Sequence, residues 1–167
     1  MLSEDLVYLG TKAFLKAHGW TLLAGQPPNG CNSLPVVEIK CPERKGIGSL
    51  GAYKPDLIAA RDGIFLLVEC KPDHSVRDAI KLADILASGE RVNLLYAEIC
   101  QRKLLERKGI ECNAMRFSAG IRGALAHSGS PQRQEHLLSI IINTPEGEGY
   151  YVLPSAHDHM LSCLKNA

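Results

Sequence analysis

Aromatic residues make up only 5% of the sequence, too few for a platform that holds single strands by stacking bases on rings. The six cysteines, Cys31, Cys41, Cys70, Cys100, Cys112 and Cys163, contain no Cys-X-X-Cys pair. No spacing suggests zinc, and reduced thiols in a cytoplasmic protein are the expectation for a domain of this size. Long apolar runs are also missing. The densest, Leu137–Ile142, is broken by Ser139 and falls far short of the roughly 18 residues of a membrane span, so no membrane partner is expected. The start, Met1-Leu2-Ser3-Glu4-Asp5, lacks the basic and apolar regions of a signal peptide. A net charge of +1 provides no global positive field, so any nucleic-acid contact must come from local basic patches or a partner. Neither a Walker loop nor a dinucleotide fingerprint occurs, which excludes a nucleotide cradle in the glycines of 46–51.

The chain does have the makings of a core. Its 46% hydrophobic and 22% charged content is that of an ordinary globular protein, and its length suits one domain over 1–167. Ser3 caps an expected helix over 3–17 whose face is Leu6, Leu9, Gly10, Ala13, Phe14 and Ala17. His18-Gly19 ends it, and Trp20–Ala24 reads as a strand. After the turn signal Pro27-Pro28-Asn29-Gly30, Leu34–Lys40 is a possible extra strand, and Cys41–Gly51 a basic, glycine-rich loop. Strands are expected at Pro55–Ala60 and Ile64–Lys71. Ser75 and Asp78 begin a helix over 75–88 that Gly89 closes, with Val76, Ala79, Ile80, Ala83, Leu86 and Ala87 facing the core. Further on come a strand at Val92–Ala97, a basic helix over Ile99–Lys108 ended by Gly109, strands at 114–118, 137–143 and 149–153, and a helix at 156–165.

Chemistry concentrates around Asp62-Gly63. Asp-Gly between apolar runs signals a two-residue hairpin turn, because both central positions require positive φ. Arg61 then opposes Ile64, and counting outward sets Asp56 opposite Glu69, with Cβ atoms about 4.5–5.5 Å apart. Lys71, two residues beyond Glu69, emerges on the same face. Like charges directly opposed destabilise a sheet, and the neighbours Leu57, Ile58, Leu67 and Val68 are apolar. A hard divalent cation relieves that repulsion, since Mg²⁺ is commonly held by one or two protein carboxylates.

Pro55-Asp56 followed by Glu69-Cys70-Lys71 resembles the signature of the PD-(D/E)XK nuclease superfamily, which includes many restriction endonucleases and the archaeal-type Holliday junction resolvases. The resemblance covers residues 3–97 and leaves 98–167 as a C-terminal elaboration. It implies an α/β, restriction endonuclease-like core in αβββαβ order, with a central mixed β-sheet flanked by helices. It also implies that Asp56 and Glu69 bind Mg²⁺, with Mn²⁺ as a substitute, and that Lys71 positions the attacking water and offsets charge in the transition state. Many members add a glutamate from the first helix, here Glu4; an acid in a first helical turn is also favoured by the macrodipole alone. The implied reaction is metal-assisted hydrolysis of a DNA phosphodiester, leaving 5′-phosphate and 3′-hydroxyl ends.

A second Glu-X-Lys, Glu38-Ile39-Lys40, lacks an aspartate at hairpin distance and is expected to be structural. His157-Asp158-His159 is expected to be an exposed helix start, not a metal cluster. Arg44, Lys45 and Lys54, flanking the glycine loop, are candidate contacts to the DNA backbone. Arg102, Lys103, Arg107, Lys108, Arg116 and Arg122 are weaker ones. No helix-turn-helix or zinc module reads sequence. Double-stranded DNA is therefore the expected partner of either a homodimer or a small cleavage subunit guided by a larger DNA-recognition subunit, as in restriction-modification. A type II restriction endonuclease or its small catalytic subunit is the first expectation. A junction resolvase and a catalytically inactive nuclease-fold binding subunit are the alternatives.

Overall fold

A computed structural model of the chain describes residues 1–27, 34–40 and 52–166. Helix α1, Glu4–Ala17, starts where expected: Ser3 accepts a hydrogen bond from the Leu6 N–H, and Glu4 and Asp5 lie in the first turn, where acids suit the helix dipole. It ends at His18, and Gly19 at φ +76° reverses the chain. Strand β1, Thr21–Gly25, follows and pairs antiparallel with β2, Leu57–Arg61, with a register shift between Leu22 and Ala24. Asp62 and Gly63 both have positive φ, 50° and 80°, so the turn that joins β2 to β3, Ile64–Lys71, has the geometry expected of Asp-Gly. Arg61 opposes Ile64, and the ladder continues to Leu57 opposite Val68.

After β3 the chain departs from several expectations. Helix α2, Val76–Ala87, is capped by Ser75, but Gly89 does not close it. Instead Ser88 caps a new helix, α3, Gly89–Gln101, whose Val92, Leu95 and Ile99 are buried at helical spacing. The strand expected at Val92–Ala97 is therefore a helix. Lys103, at φ 56°, interrupts the expected basic helix, leaving a 3-10 turn at Glu106–Lys108 before left-handed Gly109. Asn113 caps α4, Ala114–Gly120, where a strand was expected. Only then comes β4, Ile121–His127, parallel to β3. Strand β5, Leu138–Ile142, is parallel to β4, and β6, Gly149–Val152, antiparallel to β5. A 3-10 helix over Leu161–Asn166 ends the described chain, in place of a helix over 156–165. Leu34–Lys40 contributes one isolated bridge, Ile39 to Tyr53.

The result is an α/β fold with one six-stranded mixed sheet in the order β1-β2-β3-β4-β5-β6. Alternate residues of the first four strands feed two cores. On one face Leu57, Ala59, Leu66, Val68, Cys70 and Ala124 pack with Val7, Phe14 and Leu15 of α1 and with Leu161 and Leu164. On the other, Ile58, Leu67 and Leu125 pack with Leu82 and Ile85 of α2, Leu95 of α3 and Phe117 of α4. The buried stripe of α2 is Ala79, Leu82 and Ile85; Val76 and Ile80, expected inside, are 64% and 58% exposed. Leu6 and Leu9 of α1 are likewise exposed, and Val7, Tyr8 and Thr11 take their places. No described helix is long and apolar enough to cross a membrane.

Candidate active site

Asp56, Glu69, Lys71 and Glu4 converge where β2 begins and β3 ends. Glu69 is on β3 in parity with Leu67, so its side chain faces the α2 side of the sheet, where it is 3% exposed. Asp56 precedes β2 by one residue, and the ladder stops one pair short of it. Its carbonyl accepts from the Gln26 N–H at 2.9 Å. Its Oδ2 accepts from the backbone N–H of Cys70 at 2.7 Å. The register thus brings Asp56 beside Glu69, and its carboxylate reaches on to the middle residue of Glu69-Cys70-Lys71.

Lys71 turns to α1. Its Nζ donates to Glu4 Oε1 at 2.6 Å, with both side chains partly exposed. The capped first turn of α1 is what holds Glu4 there. Burial alone works against the Lys71 ammonium, but the bond to Glu4 and the Asp56 charge outweigh it and raise its pKa. Lys71 is a fixed cation, not a proton donor, at neutral pH.

The two carboxylates are pushed in the same direction, first of all by burial. Burial, then repulsion from Glu69, pushes Asp56 from an ordinary 3.8 up to about 7, although the Cys70 N–H and Lys71 act against that. Burial also raises Glu69, while Lys81 and Tyr53 partly offset it. Neither of these last two was singled out from the sequence, and Asp78 was named there only as part of a helix start. Lys81 Nζ, on α2, is 3.5 Å from Glu69 Oε1 and 4.7 Å from the centroid of the Tyr53 ring. Tyr53 is itself buried, and its hydroxyl is raised first by that burial and then by Glu69. The signal was present: Ser75 caps α2 through Asp78, and Lys81 follows Asp78 by three residues, on the same helix face.

Among the described residues no three His, Cys, Asp or Glu side chains form a metal-binding group. Asp56 and Glu69 are a pair of hard oxygen donors in a site where burial and mutual repulsion disfavour their charge. That donor set fits Mg²⁺, which takes one or two protein carboxylates and keeps waters for its remaining positions.

The other sequence candidates are placed elsewhere. Arg44 and Lys45 lie outside the described residues, as do Cys31 and Cys41. Lys54 pairs with Glu38 at 3.5 Å, which ties one DNA-contact candidate to the acid of the second Glu-X-Lys. Arg122 is bound to Asp158, whose Oδ1 also accepts from the Met160 and Leu161 N–H groups. Arg102 and Lys103 pair with Glu98 and Glu106. His157 and His159 are exposed neighbours with ring nitrogens 3.3 Å apart, on a loop before the last 3-10 helix. Compared with known proteins, the chain matches no family model and no curated sequence.

Proposed function

We propose that the chain is a magnesium-dependent DNA endonuclease of the PD-(D/E)XK type, a restriction endonuclease or the small catalytic subunit of one. The observation that carries the reading is the carboxylate pair of half-buried Asp56 and buried Glu69, held at a hairpin end with Lys71 on its rim and its charge unfavourable without a cation. The element order supports it too. A helix, a three-strand antiparallel meander and a helical crossover lead to a strand parallel to the third. That order is compatible with the αβββαβ core the resemblance implies, with α2, α3 and α4 in the crossover and β4 in the place expected for residues 92–97.

In this reading Asp56 and Glu69 hold Mg²⁺, with Mn²⁺ able to replace it. When bound, the ion supplies a Lewis acid for the phosphodiester and lowers the pKa of a water. The Asp56 carboxylate is oriented by the Cys70 N–H, so that its position is set by the β3 backbone. Lys71 presents a permanent positive charge to the attacking water and to the negative charge that grows on the phosphate. Glu4 fixes the direction of that ammonium through a 2.6 Å hydrogen bond. The partner is double-stranded DNA, bound by a homodimer or alongside a larger recognition subunit.

The test is cleavage of plasmid and of a synthetic four-way junction with Mg²⁺, alone and with the product of the neighbouring gene. Mg²⁺-dependent cuts in plasmid that disappear in Asp56→Ala are the expected result. Cutting confined to junctions would move the assignment to a resolvase. If wild type and Asp56→Ala are equally inert on every substrate, the nuclease reading is wrong.

A further inference from the structure

The site contains two lysines, and only one belongs to the motif that suggested it. Lys81 comes from α2, ten residues after Lys71, and its Nζ lies 3.5 Å from Glu69 Oε1. The carboxylate is 4% exposed at its side chain while Lys81 is 44% exposed. A buried acid is thus faced from the open side of the site by a long, half-exposed cationic side chain. The ring of Tyr53 lies 4.7 Å beneath the ammonium, a contact that favours a cation there. Lys71, by contrast, is held by Glu4 on the α1 side, at 2.6 Å.

Resting on the nuclease reading above, we propose that Lys81 is a phosphate-binding residue that exchanges partners. It screens Glu69 while the carboxylates lack a divalent ion, and turns to a backbone phosphate of the DNA once an ion takes Glu69. Three features argue for exchange over a fixed ion pair. The 3.5 Å separation is long for a charge-assisted hydrogen bond, which prefers about 2.7–2.9 Å. A half-exposed ammonium on a four-carbon stem reorients at little cost. And a divalent ion drawing on Glu69 removes the charge that holds Lys81, leaving a cation at the rim just where an incoming phosphate needs one.

The two roles have opposite signs in a single variant. Lys81→Met keeps the length of the stem and removes the competing charge. It should tighten Ca²⁺ and Mg²⁺ binding, measured by calorimetry on the DNA-free protein, by threefold or more. It should also weaken DNA binding in Ca²⁺, where cleavage is blocked, and raise KM in Mg²⁺ by fivefold or more with a smaller change in kcat. Lys81→Arg should restore DNA binding. A purely structural lysine would not tighten the ion while loosening the DNA. Divalent affinity that is unchanged or weaker in Lys81→Met overturns the exchange, and so does unchanged DNA affinity. Both of those results leave the nuclease reading standing so long as Asp56→Asn abolishes cleavage. Failure of the wild-type protein to bind a divalent ion or cut DNA overturns both.

Discussion

The carboxylate of Asp56 accepts a hydrogen bond from the backbone N–H of Cys70 at 2.7 Å, so a residue just before one strand is locked to the middle of the Glu69-Cys70-Lys71 tripeptide on the next. This bond separates two properties of Asp56, its charge and its acceptor oxygen. Asp56→Asn keeps an acceptor and discards the charge; Asp56→Ala discards both. Each should abolish cleavage. In metal-free buffer at pH 8 Asp56→Asn should melt higher than wild type, since relieving an aspartate raised from 3.8 to about 7 is worth about 4 kcal/mol at most. Asp56→Ala should gain less, because an unpaired buried N–H costs about 1–3 kcal/mol. A lower melting temperature for both variants would show that the pair is structural.

The same displacement predicts a pH profile with a defined sign. Asp56 is raised in the folded state, so between about 4 and about 7 the folded protein binds more protons than the unfolded chain. Stability in chelator should therefore fall as pH rises through that window, and Glu69, raised for the same reason of burial, adds to the fall. Mg²⁺ should restore more stability at pH 8 than at pH 5, where protons compete for its ligands. Thermal unfolding at both pH values, with and without Mg²⁺, checks this. An equal Mg²⁺ effect at the two would sink it.

Glu4 and Lys71 yield a contrast between stability and rate. Their pair is partly exposed, 37% and 29%, and exposed pairs contribute at most about 1 kcal/mol. Glu4→Gln should leave the melting temperature nearly unchanged yet lower kcat by about tenfold or more, and Lys71→Met should lower it much further. The magnitudes follow from the roughly 10²–10³-fold loss when one group stabilising transition-state charge is removed. If Glu4→Gln cleaves like wild type, Glu4 is only a helix-start acid.

How far the sequence carried depends on which part of the chain is considered. Around the hairpin it carried far, because the two positive φ values of Asp62-Gly63 admit few alternatives and set the register of Leu57, Ile58 and Ala59 against Val68, Leu67 and Leu66. Glu4 was named through the resemblance, which places a glutamate on the first helix, and the local Ser3 cap only fixed where that helix starts. Tyr53 reaches Glu69 only through tertiary packing of the segment before β2, which no local pattern encodes. Lys81 shares a helix face with the capping Asp78, but its meeting with Glu69 depends on how α2 packs on the sheet. Beyond residue 88, single residues misled. Gly89, taken as a stop, follows the Ser88 cap of α3, so the apolar Val92–Ala97 stretch read as a strand. Gly120 and Gly123 masked β4, since glycines weaken a strand signal although they mark places where another chain approaches.

Gly123 offers the last prediction. It lies within β4, and a Cβ placed there would meet Leu137 Cδ2 at 2.7 Å, Leu86 Cδ1 at 2.8 Å and Leu82 Cδ2 at 2.9 Å. All three contacts are ends of flexible side chains, two of them on α2, so the methyl is accommodated by shifts of Leu82, Leu86 and Leu137 that press on the packing of α2. Gly123→Ala should therefore destabilise by about 1–3 kcal/mol, the usual range for overpacking. Since α2 carries Lys81, the same variant should loosen the 3.5 Å approach of Lys81 to Glu69. Gly63→Ala is the control at a comparable glycine. Nothing lies within 4 Å of its added Cβ, and its penalty comes from φ +80° alone. Chemical denaturation of the two variants, with divalent-ion affinity measured on each, distinguishes the cases. Only Gly123→Ala should alter the affinity, because only there does the strain pass through α2 to the site.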